Sequence, residues 1–405
     1  MMLAGPLPTI QWQNQSQLGD HCLHSLFITL LRGLAALQVA AAHLRSEMFL
    51  GLKTMADPPL YFQALAFATG FAHQAVVVFF LISGWLVGGS LLNRFGQPHA
   101  LGAYAVDRIT RLWTVMLPTL ALMLLAALAI GAADGRQANF SAANEYSALA
   151  FAGNLAGLQT ILVPNFGGNY SLWSLANETW YYLLFPLLLV VLQGRGISRG
   201  ACLAAIALLA MLLPFAIMLY FSLWLLGALF SRIRIDCGNR ARLLLLAAAG
   251  GASLYFRVNG SNDDLVPASF VQDLVCSLPF LALLSTLQSN VDPASRSLRR
   301  LGAAGKFFAE FSFTLYVLHV PTIDVLRHIG RTVFGRDRLA PDAPLDFAIY
   351  LSMLGILQVL AWGWYLLIES RTLAVRRRLK QLLRGRLAAK SARLAARKPR
   401  QLPAE

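Results

Sequence analysis

The sequence predicts an all-α, polytopic integral membrane protein with about ten transmembrane helices and both termini in the cytoplasm. Three observations lead there. Of 405 residues, 57% are hydrophobic and only 13% are charged, where a soluble domain of this length carries about a quarter charged residues. The apolar residues are gathered into long runs. Residues 116–130 and 201–230 contain no charge at all, and a run of ~20 apolar residues is long enough to cross a bilayer. Finally, basic residues concentrate in alternate loops and in the last thirty-odd residues, the pattern of cytoplasmic segments.

Spans are expected at 25–44, 71–92, 112–131, 171–192, 200–214, 216–231, 242–257, 269–288, 307–326 and 346–368. The fifth and sixth are short and must turn near Pro214. Residues 146–163 are apolar enough for another crossing, but Gly153, Asn154, Gly157 and Gln159 make them a re-entrant or buried segment. Ten crossings put Arg94, Arg108, Arg195, Arg199, Arg232, Arg234, Arg240, Arg242, Arg296, Arg299, Arg300 and Lys306 on the inner side. One outer loop disagrees, with Arg327, Arg331, Arg336 and Arg338. The chain therefore divides into a cytoplasmic N-terminal segment (1–24), a transmembrane domain (25–370) and a basic cytoplasmic tail (371–405).

The net charge of +15 does not indicate nucleic acid. Residues 371–400 hold 12 Lys and Arg and no acid, so the rest of the chain carries only +3. Leucines interleaved in that tail suit either a helix lying on anionic lipid or a solvated charged tail. The four cysteines, Cys22, Cys202, Cys237 and Cys276, have neither redox nor metal spacing. No H-x-x-x-H or C-x-x-C pair occurs, so no metal site is expected.

Polar residues within spans are costly in lipid and are the first candidates for function. Arg32 and His43 lie in the first span, eleven residues apart, ~16 Å along one helix face. A histidine can take the proton from an attacking alcohol; alone, it is equally an interfacial residue. Ser83-Gly84 in the second span permits a close helix approach or a turn beside a ligand. Arg108 and Arg111 share a face before the third span. Such a pair suits phosphates, and also a plain positive-inside anchor. Glu178 lies about two turns into the fourth span and needs a partner or a proton. Trp173 fits an aromatic belt. The ninth span brings Tyr316 and His319, the latter also readable as a core histidine bonded to backbone.

Taken together these segments resemble the acyltransferase 3 family of membrane O-acyltransferases. The matching pieces are LRGLAAL with the following His43, FFLISGWL, the R-x-x-R of Arg108 and Arg111, LWSLANETWYYLLFP and SFTLYVLHVP. The resemblance implies acyl-CoA, with acetyl the expected group, as co-substrate and no bound cofactor. It implies a hydroxyl of a cell-envelope or exported saccharide or glycolipid as acceptor, membrane lipid as surroundings, and the bacterial inner membrane as location. By motif position His43 is the family's essential histidine, and Arg108 and Arg111 its arginine pair. Glu178 matches the first acid of a W-S-L-x-x-E-E segment whose second acid is here Thr179, and Trp85 stands where Phe is common. The expected catalytic pair is His43 and Glu178, the latter orienting His43 or pairing with a cation. Arg32, Ser83, Gly84, Arg108, Arg111, Trp173, Tyr316 and His319 are the expected donor- and substrate-binding residues. His43, Glu178 and His319 are expected toward the outer half, and Arg108 and Arg111 at the inner face. The rival reading is a secondary transporter of a lipid-linked or anionic solute, using the same charges as a pathway.

Overall fold

The computed structural model describes residues 8–19, 22–133, 144–261, 265–289 and 295–383 and is 78% helical. A helix satisfies its own backbone hydrogen bonds, which lipid cannot do, so Leu- and Ala-rich runs of this kind become rods. A short strand β1 (Thr9–Trp12) precedes α1 (Leu23–Met48) and the short α2 (Leu60–Ala68). Then α3 (Ala72–Ser83), a π turn over Gly84–Gly88 and α4 (Gly89–Arg94) make one continuous rod. Next come α5 (Ala100–Ala129), α6 (Ala148–Leu155), α7 (Trp173–Gln193), α8 (Gly196–Leu212) and α9 (Phe215–Phe230). β2 (Ile233–Asp236) pairs antiparallel with β1. α10 (Asn239–Asn259), α11 (Phe270–Thr286), α12 (Arg296–Glu310), α13 (Ser312–Phe334) and α14 (Pro344–Leu367) complete the described chain.

Every expected span contains a helix. Among the described residues, seven helical stretches are long and apolar enough to cross a membrane. α8 and α9, with 17 and 16 residues, are shorter, only ~25 Å at 1.5 Å per residue. α13 carries Asp324, Arg327, His328 and Arg331 in its second half. Residues 146–163 do not form a further span. α6 has eight residues, ~12 Å of helix. Asn154 then folds the chain back, donating to the carbonyls of Ala150 and Pro164 and accepting from the Phe166 amide.

Two boundaries differ from expectation. α5 begins at Ala100 rather than 112, so the face that Arg108 and Arg111 share belongs to the spanning helix itself. Residues 100–111 escaped a hydropathy reading because Asp107, Arg108 and Arg111 lower their average and only one face of that stretch is buried. The inner loop around 296–306 is also helical: α12 is amphipathic, with Leu301, Phe307 and Phe308 exposed beside its basic residues.

The main core joins α1, α3, α5, α7, α9 and α13 through Val39, Leu81, Leu120, Tyr181, Trp224 and Val317. α8 and α10 bury no residue and form the rim. Both described chain ends lie on one face of the bundle. Ser16 and Asn93 exchange two hydrogen bonds of 2.8 and 2.9 Å there, Arg94 pairs with Asp107, and Asp107 pairs with Lys380 at 2.6 Å. We call this the terminal face. On the opposite face Arg327 pairs with Glu47 and Asp337, Arg331 with Asp337, and Arg336 with Asp346. Those acids offset Arg327, Arg331 and Arg336, three of the four arginines that broke the charge pattern, the first two of which lie on α13. Residues 384–405 of the basic tail lie outside the described residues; the start of the tail, 371–383, follows α14 and pairs with Asp107 through Arg376 and Lys380.

Candidate active site

A chamber of about 680 Å³ opens between α1, α3, α5, α7, α12, α13 and the segment following α14. Its walls carry Arg32, Arg108, Arg111, Lys306 and Arg376 against Glu178, Glu310 and Glu369, a surplus of positive charge. The side chains divide into two kinds. Arg111 is committed: it pairs with Glu369 and lies 4.8 Å over the Phe313 ring. Glu369 also accepts from the Thr314 amide and hydroxyl at 3.2 and 2.6 Å. Arg32 and Arg108 form no ion pair among the described residues. Arg108 stands over the rings of Tyr104 and Tyr182 at 5.9 and 5.5 Å, which orient it without neutralising it. Two guanidinium groups with no direct ion pair, on walls where cations outnumber carboxylates, leave positive charge for an anion.

Glu178 is fixed on the same wall. Ser83 Oγ and Tyr182 OH both donate to its Oε1 at 2.5 Å, and Trp224 Nε1 donates to Ser83 Oγ at 3.1 Å. The π turn makes this possible. A Cβ on Gly84 would collide with the Trp224 carbonyl oxygen, and one on Gly227 with that of Leu81. Glycine at both positions lets the rod and α9 touch backbone to backbone, and the turn aims Ser83 at Glu178. π turns of this kind cluster at functional sites.

The chamber ends at Ser174 and Tyr316, whose hydroxyls are 2.6 Å apart. Behind this wall stand the two histidines. The Tyr316 ring is 5.9 Å from that of His319, and His319 Nε2 lies 2.8 Å from His43 Nδ1. His319 is fully buried and His43 half-buried, with its ring 5.0 Å from Tyr170. The hydrogens follow from the partners. His319 Nδ1 faces the Leu315 carbonyl at 3.1 Å, which only accepts. In the neutral ring Nδ1 therefore carries the hydrogen, and His319 Nε2 is an acceptor. His43 Nδ1 must donate to it, which leaves His43 Nε2 with a free lone pair.

Most of the expected residues converge, in two groups rather than one. Arg32, Ser83, Arg108, Arg111, Glu178 and Tyr316 line the chamber; His43 and His319 form a pair behind its end wall. Glu178 bonds Ser83 and Tyr182 rather than His43. Tyr170, beside His43, precedes it by eight residues, so Glu178 is ~12 Å farther along and grouped with the arginines. Gly84 shapes the turn without lining the chamber, and Trp173 packs against the core outside it. Sequence reading missed Ser174, Tyr182, Glu369 and Arg376. Glu369 carried a signal, an acid at the end of an apolar run beside Arg371. The others look like ordinary span-end residues. No curated protein and no solved structure matches the chain. The family model described as an acyltransferase domain matches residues 25–370, nearly the whole chain, so the protein is a multi-pass membrane protein that belongs to the acyltransferase 3 family.

Proposed function

We infer that this membrane acyltransferase moves an acyl group, acetyl by preference, from acyl-CoA to a hydroxyl of a cell-envelope or exported saccharide. The observation that carries the reading is the polarity of the chamber. Arg32 and Arg108, with no direct ion pair among the described residues, stand at one end, and a histidine whose outward ring nitrogen has no hydrogen-bond partner among the described residues stands behind the other. A phosphate-bearing thioester donor fits this arrangement, with its acyl end directed at Tyr316 and its nucleotide toward the terminal face. A hydroxyl acceptor reaches the half-buried His43 from the opposite face, past Glu47 and Tyr170. Ten crossings, with both ends on the cytoplasmic side of the inner membrane, bring the terminal face to the cytosol, where acyl-CoA is available. The shared face of the two described chain ends supports an even number of crossings.

In this reading His43 Nε2 takes the proton of the acceptor hydroxyl as its oxygen attacks the thioester carbonyl. The C–O bond forms, a tetrahedral oxyanion develops, and the C–S bond then breaks. The sulfur leaves as thiolate and receives the proton held by His43, giving free CoA and the ester. His319 keeps His43 in the tautomer whose outward nitrogen is basic. The Tyr316 and Ser174 hydroxyls, at the chamber end nearest the histidines, are the donors for the oxyanion. Glu178 holds Ser83 and Tyr182 in place and supplies negative charge opposite Arg32 and Arg108. The test is incubation of the purified protein with labelled acetyl-CoA and envelope saccharides. Acetylated saccharide with equimolar free CoA is expected; saccharide left unlabelled across acceptor classes would overturn the reading.

A further inference from the structure

The basic segment that follows α14 touches the chamber, and the contact is specific. Asp107, 7% exposed, immediately precedes Arg108 on α5. It faces three cations: Lys380 Nζ at 2.6 Å, Arg376 Nε at 3.4 Å and Arg94 Nη1 at 3.6 Å. One carboxylate among three cations leaves positive charge over. Arg376 Nε lies 3.4 Å from Asp107 Oδ1 as an ion pair without a hydrogen bond, and the terminal nitrogens of the guanidinium have no hydrogen-bond partner among the described residues. The side chain also lines the chamber, where Thr372 and Leu373 of the same segment join it.

We propose that Arg376, positioned by Asp107, is a phosphate ligand of the donor, and that the start of the basic tail is thereby part of the donor site. The proposal rests on the donor reading above. A CoA thioester carries a pyrophosphate in mid-molecule and a 3′-phosphate on the ribose at the end remote from sulfur. With the thioester at Tyr316, that 3′-phosphate lies toward the terminal face, where Asp107 holds Arg376. Arg32 and Arg108 are left for the pyrophosphate. An Arg whose Nε faces a carboxylate keeps its planar pair of terminal nitrogens for two phosphate oxygens, which a Lys cannot match. The same chemistry would fit the phosphate of an anionic lipid, and the experiment separates the two sources.

The measurement is binding of CoA and of dephospho-CoA, which lacks only the 3′-phosphate, to the full-length protein in nanodiscs of zwitterionic lipid and of lipid with added phosphatidylglycerol. Wild-type protein should prefer CoA. Arg376→Ala should weaken CoA about tenfold or more, the effect of losing charge-assisted hydrogen bonds, and leave dephospho-CoA unchanged. Arg376→Lys should recover part of the loss. Asp107→Asn loosens Arg376 but also removes a charge that repels phosphate, so it should lower CoA affinity by less than Arg376→Ala and also spare dephospho-CoA. Equal weakening of both ligands by Arg376→Ala, or no weakening of either, overturns the proposal. So does a loss that appears only with phosphatidylglycerol present, which would assign Arg376 to lipid. Wild-type protein that binds neither ligand would instead remove the donor reading itself. Thermal unfolding of each variant confirms folding, and Arg376→Gln replaces the alanine variant if that fails to fold.

Discussion

His319 offers the most informative perturbation, because two substitutions separate its proposed work from its bulk. Its Nε2 accepts from His43 Nδ1 at 2.8 Å and its Nδ1 is tied to the Leu315 carbonyl at 3.1 Å. His319→Leu keeps volume and removes the acceptor. One net hydrogen bond of about 0.5–1.5 kcal/mol then no longer selects the His43 tautomer, a factor of about 2–12 in population at 1.4 kcal/mol per decade. Loss of ring orientation adds to this, since a displacement of about 1 Å at a reacting group costs up to ~10²-fold. The expected fall in kcat is therefore roughly tenfold to a hundredfold, with donor affinity unchanged because the phosphate ligands lie at the other end of the chamber. His319→Gln puts an amide oxygen where Nε2 was and should recover most of the loss. Single-turnover transfer from pre-bound acetyl-CoA reads the effect directly. Normal turnover in His319→Leu, or equal loss in the leucine and glutamine variants, would refute the tautomer argument.

The remaining predictions address the chamber and the proton. Arg108→Ala should weaken donor binding without lowering thermal stability. Arg111→Ala should lower stability by about 3 kcal/mol, since it strands the buried Glu369 carboxylate, and adding Glu369→Gln should restore part of it; equal melting temperatures for the two single variants would contradict this division. Tyr316→Phe should reduce kcat about 10²-fold with little change in KM, the loss of one oxyanion donor, and an unchanged kcat would remove that role. Activity should be present where the free imidazole is neutral and fall as pH drops through its pKa, because a protonated ring cannot accept the hydroxyl proton; a rate that rises toward acid pH would exclude His43 as base.

What the sequence made legible follows from what hydropathy and spacing measure. Apolar runs located a helix at each of the ten expected positions because lipid demands them. The intramembrane charge rule picked out Arg32, His43, Glu178 and His319. It could not show partners across the chain. His43 and His319 are 276 residues apart, and nothing along either helix says that their rings meet. Glu178 was grouped with the histidines on depth alone, whereas its hydrogen bonds run sideways to Ser83 and Tyr182. The Ser-Gly pair in FFLISGWL signalled close packing, but the π turn that converts it into an aimed hydroxyl depends on Gly227 of another helix. Arg376 was hidden in a run of like charges, where composition identifies a tail and cannot identify the residue that turns inward.

His43→Ala is the most direct test of the whole account. The variant, checked for normal thermal unfolding, is loaded with labelled acetyl-CoA and then mixed with an acceptor that the wild-type protein acetylates. If His43 is the base, donor binding is unchanged, because Arg32 and Arg108 are intact, while transfer falls by about 10²–10⁴-fold. Near-normal transfer by the folded variant would contradict the assignment of His43, and with it the mechanism built on the histidine pair.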